Sequence, residues 1–306
     1  MQFKSRAKKF MRFESVTALL NFSVVIFLSS LASFASAGGS NFLIQTVARI
    51  AAEIDAHVGF AAYDLESEQS WEYQGDQRFA LSSTFKTLAC AALLHRVDAG
   101  QESLERAVSF SKSDLVTYSP ITETYARAQP MTLSDLCEAA LTMSDNTTAN
   151  LVLRALGGPE KVTSFVRGLG DDVTRLDRWE TELNEAVPDD NRDTTTPNAM
   201  VKNLQSLLLG DALSEKSRDQ LRDWLTRNQV ADGLFRAAVP EGWVVADRTG
   251  AGGFGLRSIT AIIWPPECEP VVVALYLTQT EASFSERNEA IAEIGEAIVL
   301  MVDSGR

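Results

Sequence analysis

The feature that most constrains the fold is the stretch of residues 81–94, in which a long apolar run follows a few polar side chains. From Leu88 to Leu94 every residue is apolar or small. A helix that is apolar on all sides is buried on all sides, so this stretch predicts a helix in the centre of the protein. Its first turn nevertheless carries the hydroxyl of Ser83 and the amine of Lys86, three positions apart on one helix face.

A serine and a lysine at this spacing can form a nucleophile and its base without any histidine. Ser83 is expected at the N-terminus of the helix, where free N–H groups and the helix dipole favour negative charge. Burial of Lys86 favours its neutral, basic form. The spacing alone is a weak signal, because residues 5–8 and 109–112 repeat it outside any predicted buried helix.

The N-terminus has the pattern of a secretory signal peptide. Basic residues precede the apolar run 16–32, which leads to the small-residue site Ala35-Ser36-Ala37. We predict that residues 1–37 form the signal peptide and that the mature chain begins at Gly38, exported to the periplasm. A membrane anchor is the alternative, because the run is almost long enough to span a bilayer. The cleavage site favours export without stable membrane association.

Removal of this segment makes the protein more acidic. The segment carries five basic side chains and Glu14, so its loss changes the formal net charge from −13 to −17. Such acidity argues against nucleic acid or an anionic membrane as a partner. We expect a small-molecule substrate, a monomer and no cofactor. We expect no metal ion either, because His57 and His95 are the only histidines and neither lies in a metal-ligand motif.

Three cysteines remain in the mature chain. Cys90 lies on the predicted buried helix, and Cys137 lies on a second predicted helix. In an oxidising compartment these two are candidates for a disulfide bond. Cys268 is then left over and is expected to be free.

Hydrophobic periodicity places strands at both ends of the chain and helices in the middle. Helix starts are predicted at Thr132, with Asp135 three residues on, and at Thr196, which precedes Pro197. The terminal elements are predicted as a helix over 41–56, a hairpin of strands 57–65 and 71–79, strands 243–248, 258–264 and 271–278, and a helix over 285–302.

This order predicts an α/β fold of two domains. The first holds a mixed sheet built from both ends of the chain, antiparallel, with about five strands and flanking helices. It comprises residues 38–81 and 228–306. The second is an inserted all-α domain over 82–227, which includes the loop around Glu180. A cleft between the two is where a binding site is expected.

Four polar clusters are expected to face this cleft. They are Ser144-Asp145-Asn146, the irregular loop from Arg178 to Asp193, the segment Arg248-Thr249-Gly250-Ala251, and Arg257. Irregular loops of such length inside a compact domain are usually functional. Each cluster alone has an ordinary explanation: a polar helix end, a solvated acid, a turn after a strand, a surface arginine.

Taken in order, the clusters resemble a known signature. Ser-x-x-Lys, Ser-Asp-Asn and Lys-Thr-Gly mark class A β-lactamases and penicillin-binding proteins, and here Arg248 replaces the last lysine. Glu180-x-x-Leu183-Asn184 resembles the class A β-lactamases specifically, and the resemblance spans the mature chain. The Arg-Thr-Gly form followed by Arg257 resembles their carbenicillin-hydrolysing branch. Hydrolysis of penicillins, carboxypenicillins included, and of some cephalosporins is implied, with antibiotic resistance as the result.

The resemblance implies a catalytic role for six residues: Ser83, Lys86, Ser144, Glu180, Asn184 and Ala251. Ser83 would be the acylated nucleophile, and Lys86 and Glu180 are the two candidate bases for its acylation. Glu180 and Asn184 would hold the water that hydrolyses the acyl-enzyme. Ser144 would relay a proton to the leaving nitrogen. The backbone N–H groups of Ser83 and Ala251 would form the oxyanion hole.

The resemblance also implies binding and structural roles. The binding residues are Tyr118, Asn146, Arg248, Thr249, Gly250 and Arg257. Among them, the two arginines and Thr249 would surround the substrate carboxylate, Asn146 would contact its side-chain amide, and Tyr118 would line the entrance. The structural residues are Cys90, Cys137, Asn150, Arg178 and Asp193, which would form the disulfide, hold the Glu180 loop and close it. Several relatives have proline where this chain has Thr181, and the family's bond before that position is cis.

Other classes of protein fit less well. A penicillin-binding DD-peptidase would share Ser83, Lys86 and Ser144 but would lack a dedicated base for deacylation. A penicillin-sensing protein would stay acylated and would need a signalling membrane segment. A zinc lactamase lacks its histidines, and a Ser-His-Asp hydrolase of the α/β type lacks its Gly-x-Ser-x-Gly turn.

Overall fold

The structure is a computed structural model that describes residues 42–125 and 129–304. A five-stranded sheet has the order β2-β1-β9-β8-β7. Its strands are β1 (His57–Asp64), β2 (Gln69–Tyr73), β7 (Val244–Ala251), β8 (Arg257–Trp264) and β9 (Val271–Thr278). Both ends of the chain supply strands, which confirms the predicted fold class. Every adjacent pair is antiparallel, so the sheet is not mixed in strand direction.

Both faces of this sheet are covered. All eight residues of β9 are buried, as expected for a strand that reads as a continuous apolar run. Its side chains alternate between two hydrophobic cores: Val273 and Leu275 belong to one, Ala274 and Tyr276 to the other. The first core contains the helix over 42–53, α1, and the C-terminal helix α10 (Phe284–Ser304). The second joins the sheet to the helices of the middle of the chain.

The buried helix predicted from residues 81–94 is the central element of that second core. It is α2 (Phe85–Asp98), and ten of its residues, Phe85 to Leu94, are buried. The larger helices around it are α4 (Leu133–Thr142), α5 (Asn146–Leu156), α6 (Pro159–Gly168), α7 (Pro197–Leu208) and α8 (Glu215–Thr226). Short helices α3 (Thr122–Tyr125) and α9 (Phe235–Ala238) complete the described set. The predicted domain boundaries stay a prediction.

Local capping chemistry explains where several of these helices begin. The Thr132 hydroxyl accepts a hydrogen bond from the N–H of Asp135, whose carboxylate accepts one from the N–H of Thr132. The Thr196 hydroxyl accepts a hydrogen bond from the N–H of Ala199, and Pro197 occupies the first turn of α7. Both predicted helix starts are therefore confirmed.

The predicted disulfide is present between α2 and α4. Cys90 and Cys137 are bonded, with their Cα atoms 5.7 Å apart, and Cys268 is free. Both predictions on the cysteines are confirmed. The predicted signal peptide, residues 1–37, lies outside the described residues. Among those that are described, no helix is both long enough and apolar enough to span a membrane.

One strand prediction is wrong in its extent. The hairpin of β1 and β2 forms, but β2 ends at Tyr73 rather than Phe79. Gln74 has a φ of +49°, and the Gly75 carbonyl accepts a hydrogen bond from the N–H of Asn198. The chain therefore leaves the sheet after Tyr73. Phe79 belongs to a separate strand, β3 (Phe79–Ala80), which pairs with β6 (Thr194–Thr195); a third small sheet joins β4 (Ala107–Val108) and β5 (Met131–Thr132).

Candidate active site

Ser83 lies at the entry to the central helix. Ser82–Thr84 form a single 3-10 turn, and α2 begins at the next residue, Phe85. Residues 81–94 are all buried, since the run is apolar on every side of the helix. Ser83 keeps 9% of its surface exposed and lines a cavity. The candidate nucleophile is thus reachable on an otherwise enclosed segment.

Lys86, one turn further along, is fully buried and surrounded by polar groups. Its Nζ donates hydrogen bonds to Asn146 Oδ1 at 2.6 Å, to Ser144 O at 2.8 Å and to Ser144 Oγ at 3.2 Å. Ser144 Oγ in turn donates to Ser83 Oγ at 3.1 Å. Ser83 and Lys86 are therefore connected through the hydroxyl of Ser144 in this hydrogen-bond network.

The environment of Lys86 favours proton loss. Burial lowers the pKa of Lys86 from 10.5 to about 8. The negative charge of Glu180 opposes this effect, and the positive charge of Arg248 adds to it. Part of the Lys86 population is therefore neutral near neutral pH, whereas an exposed lysine is almost fully protonated.

The Glu180 side chain faces Lys86 from the other side. Glu180 Oε1 lies 3.2 Å from Lys86 Nζ, and both side chains are fully buried. Glu180 Oε2 accepts a hydrogen bond from Asn184 Nδ2 at 2.5 Å. Within the described residues, Glu180 Oε1 accepts no hydrogen bond of good geometry. The carboxylate is therefore hydrogen-bonded through Oε2, and its other oxygen, Oε1, faces the Lys86 amine.

The backbone around Glu180 is fixed by Asn150. The Asn150 side chain accepts a hydrogen bond from the N–H of Glu180 and donates one to its carbonyl, each at 2.9 Å. Asn150 lies on α5, so the loop is fastened to a helix of the second core. The Glu180–Thr181 peptide bond is cis.

An ion pair closes the ends of this loop. Arg178 Nε donates to Asp193 Oδ2 at 2.5 Å, and Asp193 Oδ1 accepts hydrogen bonds from the N–H groups of Asp177 and Arg178. The carbonyl of Asp193 accepts a hydrogen bond from the N–H of Leu81 at 2.7 Å. The closed loop is therefore tied to the segment that carries Ser83.

Asp145 explains how the Ser144 motif is positioned. Its buried carboxylate caps α5 by accepting from the N–H of Thr148, and it also accepts from the N–H groups of Ile121 and Thr122. The same region is joined again where the N–H of Asn146 donates to the carbonyl of Tyr118 at 3.0 Å. One carboxylate thus holds both Ser144 and the Tyr118 loop, leaving Tyr118 exposed at the mouth of the cavity.

Strand β7 forms the opposite wall. Thr249, Gly250 and Ala251 all line the cavity. A Cβ atom at Gly250 would lie 2.5 Å from Ser258 Oγ and 3.3 Å from the carbonyl oxygen of Leu81. Glycine suits this position because a Cβ atom would collide with the Ser258 side chain on β8 and would press on the turn that holds Ser83.

Two buried arginines give this wall a positive charge. Arg248 donates to the carbonyl of Leu141 at 2.8 Å, and Arg257 donates to the carbonyl of Gly250 at 3.0 Å and to Asn288 Oδ1 at 2.8 Å. Burial lowers the pKa of each to about 10. Neither forms a salt bridge within the described residues, so their charge is available to an anion.

These groups meet around one cavity of about 330 Å³. It is lined by Ser83, Tyr118, Ser144, Asn146, Asn184, Val230, Arg248, Thr249, Gly250, Ala251, Arg257 and Phe284. All six residues predicted for substrate binding are among them, and Lys86 and Glu180 lie buried beside it. A larger cavity of about 770 Å³ lies behind the loop, along residues 186–192, and contains none of the predicted catalytic side chains. The smaller cavity is therefore the candidate active site.

Sequence patterns missed several residues of this site. Val230 and Phe284 line the cavity, and the Phe284 ring stacks on the Arg257 guanidinium at 4.8 Å. Ser82 contacts both Asn184 and Ala251. None of the three belongs to a spaced motif, so the only signal for Ser82 was its place beside Ser83. In the described part of the chain, no group of three or more His, Cys, Asp or Glu side chains could hold a metal ion.

Comparisons with known proteins agree on one family. A family model described as "Beta-lactamase enzyme family" matches residues 42–301. Beta-lactamase AER-1 of Aeromonas hydrophila is 52% identical over 253 residues, which cover 83% of each chain. Beta-lactamase CARB-4 of Pseudomonas aeruginosa is 48% identical over 277 residues, 90% of this chain and 96% of the relative.

Solved structures give the same result. An ancestral class A β-lactamase superposes with a TM-score of 0.83 at 50% identity, covering 84% of this chain and 99% of that one. The chromosome-encoded β-lactamase of Vibrio parahaemolyticus has a TM-score of 0.82 at 44% identity, covering 84% and 98%. The similarity in both sequence and fold therefore extends over nearly the whole described chain.

Proposed function

Given that this chain belongs to the β-lactamase enzyme family, as a class A serine β-lactamase, we propose that Ser83 is the nucleophile with which it hydrolyses penicillins. Ser83 Oγ attacks the carbonyl carbon of the β-lactam, and the C–N bond of the ring breaks. The hydroxyl proton ends on the released nitrogen. Water then cleaves the resulting ester, which frees Ser83 and leaves the product as an inactive acid. The outcome is resistance to these antibiotics.

Acylation needs a base for the Ser83 proton and an acid for the leaving nitrogen. Lys86 suits the first role, because burial lowers its pKa to about 8 and makes its neutral form accessible. Glu180, acting through a water molecule, is the alternative base. Ser144 suits the relay to the nitrogen, because its hydroxyl lies between Ser83 Oγ at 3.1 Å and Lys86 Nζ at 3.2 Å.

Deacylation needs a second base, and Glu180 is proposed for it. The observation that carries the proposal is the arrangement of its carboxylate: Oε2 is held by Asn184, while the buried Oε1 faces Lys86 Nζ at 3.2 Å and accepts no hydrogen bond of good geometry within the described residues. Such an oxygen can accept a proton from a water that Asn184 helps to hold. This assignment makes the protein a hydrolase, since a transpeptidase or a penicillin sensor has no use for such a group.

The oxyanion hole is assigned to the backbone N–H groups of Ser83 and Ala251. Both residues line the cavity, one on the 3-10 turn and one at the end of β7. Each donor in such a hole typically contributes about 3 kcal/mol to the transition state.

Substrate selection follows from the charged wall of the cavity. Arg248 and Arg257 are buried cations without carboxylate partners in the described chain, and with Thr249 they suit the carboxylate that every penicillin carries. Asn146 suits the amide of the substrate side chain, and Tyr118 suits the entrance. Carboxypenicillins such as carbenicillin, and some cephalosporins, are the proposed substrates beyond simple penicillins.

The remaining expectations concern the protein as a whole. We propose that the protein is exported to the periplasm with removal of residues 1–37 and that it is a monomer. We also propose two domains, one of residues 38–81 with 228–306 and one of residues 82–227. The two hydrophobic cores, on either face of the sheet, support that division.

Turnover by the purified mature protein tests the proposal. A chromogenic cephalosporin and carbenicillin are both expected to be hydrolysed, and Ser83→Ala is expected to be inactive towards each. Ser109→Ala, outside the cavity, serves as the matched control. A wild-type protein that hydrolyses neither compound, or an active Ser83→Ala variant, would contradict the assignment.

A further inference from the structure

We propose that Ser82, the residue before the nucleophile, is a positioning residue for deacylation. Its hydroxyl holds the Asn184 side chain and the Ala251 carbonyl in place while Glu180 activates water. The inference rests on the proposed function of Glu180 and Asn184, and it adds a residue that no spaced motif contains.

The hydroxyl of Ser82 lies between two acceptors. Ser82 Oγ is 2.6 Å from Asn184 Oδ1 and 2.5 Å from the carbonyl oxygen of Ala251, and the residue is fully buried. A hydroxyl has a single proton, so the two oxygens share it in a three-centre hydrogen bond. Neither acceptor can be the donor, because one is a carbonyl and the other is the oxygen of an amide.

The orientation of the Asn184 amide follows from its partners. Asn184 Nδ2 donates to Glu180 Oε2 at 2.5 Å, so the amide oxygen must face the opposite way, towards Ser82. The carboxylate of Glu180 therefore holds one end of the amide and the hydroxyl of Ser82 holds the other. With both ends bound, the amide has one position relative to the proposed water.

Ser82 joins three separate segments at this point. It precedes Ser83 in the chain, it binds the Glu180 loop through Asn184, and it binds the end of β7 through Ala251. A main-chain bond reinforces the contact, since the N–H of Gly253 donates to the carbonyl of Asn184 at 2.9 Å. The Ser82 side chain is thus a direct link between the segment that carries Ser83, the Glu180 loop and the end of β7.

The backbone of Ser82 is also unusual. Its φ is +43°, in the left-handed region that residues other than glycine rarely adopt. Such conformations persist where the surroundings fix them, and they are concentrated at functional sites. In this conformation the side chain makes the two hydrogen bonds described above, and the backbone carbonyl accepts one from the N–H of Phe85.

Loss of the hydroxyl removes the donor that the Asn184 amide oxygen and the Ala251 carbonyl share. The Asn184 amide can then rotate about its remaining bond to Glu180, and the water loses its alignment. The side chains of the acylating residues Ser83, Lys86 and Ser144 make no hydrogen bond to Ser82, and the oxyanion donor Ala251 is contacted only through its carbonyl. The Asn184 amide, which acts in deacylation, is contacted directly through its side chain. Removal of the hydroxyl is therefore expected to slow deacylation more than acylation.

Three variants of the purified mature protein test this inference. Ser82→Ala removes the hydroxyl, Ser82→Gly removes it and also relieves the positive φ, and Ser82→Thr keeps it. Acylation and deacylation by benzylpenicillin are followed separately, by rapid-quench intact mass spectrometry of the adduct on Ser83. The alanine and glycine variants are expected to lose about ten- to a hundredfold in deacylation rate, as expected for a misplaced reacting group, and to accumulate the adduct.

The threonine variant separates positioning from stability. A β-branched residue is disfavoured at positive φ, so Ser82→Thr is expected to melt at a lower temperature but to deacylate at close to the wild-type rate. If deacylation instead follows the melting temperature across the three variants, the role is structural and the inference is wrong. If the alanine variant does not fold, the glycine variant, which accepts this φ without strain, carries the test.

Glu180→Gln, measured alongside, distinguishes the two levels of inference. If that variant traps the adduct while Ser82→Ala deacylates like wild type, only the role of Ser82 is wrong. If acylation and deacylation fall equally in Ser82→Ala, the contact with Asn184 is not the one that matters, and the inference is again wrong. If Glu180→Gln traps nothing, the proposed function fails, and the inference on Ser82 fails with it.

Discussion

Lys86 Nζ and Glu180 Oε1 lie 3.2 Å apart, with both side chains fully buried. A buried ion pair of this kind is costly to break, because the partner that remains is an uncompensated charge. The pair also joins the two proposed bases, Lys86 on α2 and Glu180 in the loop from Arg178 to Asp193. Variants that keep the shape of either side chain are therefore more informative than deletions.

Glu180→Gln is expected to accumulate a penicilloyl adduct on Ser83. The amide cannot take a proton from water, and the loss of a general base typically slows a step about 10²- to 10⁴-fold. Intact mass after brief exposure to benzylpenicillin measures the adduct. Glu182→Gln, an exposed change in the same loop, is the control and is expected to show none. Wild-type turnover by Glu180→Gln would remove Glu180 from the mechanism.

The acylation rate is expected to rise with pH through the pKa of Lys86. That pKa is lowered to about 8, so the neutral, basic form is the minority below this pH and the majority above it. Single-turnover acylation should rise with pH and level off above about pH 8. Lys86→Arg keeps the positive charge but is never neutral, so it should acylate slowly at every pH. A wild-type rate that is flat across this range would favour Glu180 as the base of acylation.

Arg257→Ala is expected to lower kcat/KM for penicillins by one order of magnitude or more. Removal of one partner from a buried charge pair typically costs about 2–5 kcal/mol, and Arg257 is a buried cation that faces the cavity. Arg257→Lys should recover part of the loss, because it keeps the charge without the planar fork. Arg222→Ala, a surface change on α8, controls for net charge. An unchanged kcat/KM in Arg257→Ala would place the carboxylate elsewhere.

Replacement of both Cys90 and Cys137 by alanine is expected to destabilise the protein without changing kcat. The bond joins residues 47 positions apart, and closing a loop of about that length contributes roughly 4 kcal/mol on the chain-entropy model. Neither cysteine lines the cavity. Denaturant unfolding and steady-state kinetics measure the two effects, with Cys268→Ala as the control. Equal stability of the double variant and the wild type would contradict the expectation.

Secreted protein is expected to begin at Gly38. The basic start, the apolar run 16–32 and the site Ala35-Ser36-Ala37 together form a cleavage pattern. Mass spectrometry of the exported protein identifies its first residue. Ala37→Leu, which removes a small residue from the site, should block cleavage. An intact N-terminus on wild-type protein retained in the membrane would favour the anchor instead.

The sequence predicts those parts of the fold that depend on local chemistry. Thr132 with Asp135, and Thr196 with Pro197, begin helices because a side chain three residues away or a fixed φ acts within one turn. The extent of β2 could not be predicted, because the chain leaves the sheet where a residue on α7, Asn198, binds the carbonyl of Gly75. That contact joins positions more than a hundred residues apart.

The residues of the site likewise fall into two groups, those that sequence motifs predict and those that only the fold brings together. Ser83 and Lys86 are recognisable from spacing on one helix, and the other catalytic candidates from motifs that resemble a family. Ser82 and Phe284 belong to the site only through residues that the fold brings to them: Ser82 contacts Asn184, and Phe284 contacts Arg257. A serine beside a serine carries no periodic signal, and an aromatic residue at the start of a helix looks like any surface residue.

The pairing of β1 with β9 bears on the time at which this protein can fold. Phe60 pairs with Leu275, so the first strand leaves the ribosome long before its central partner exists. Pairing of such distant segments is slow, because the loop between them must close before any contact stabilises it. Until β7, β8 and β9 are made, the turn that carries Ser83 has no wall to pack against. The nascent chain should therefore remain unfolded until its last strands are made, and the site around Ser83 should assemble only then.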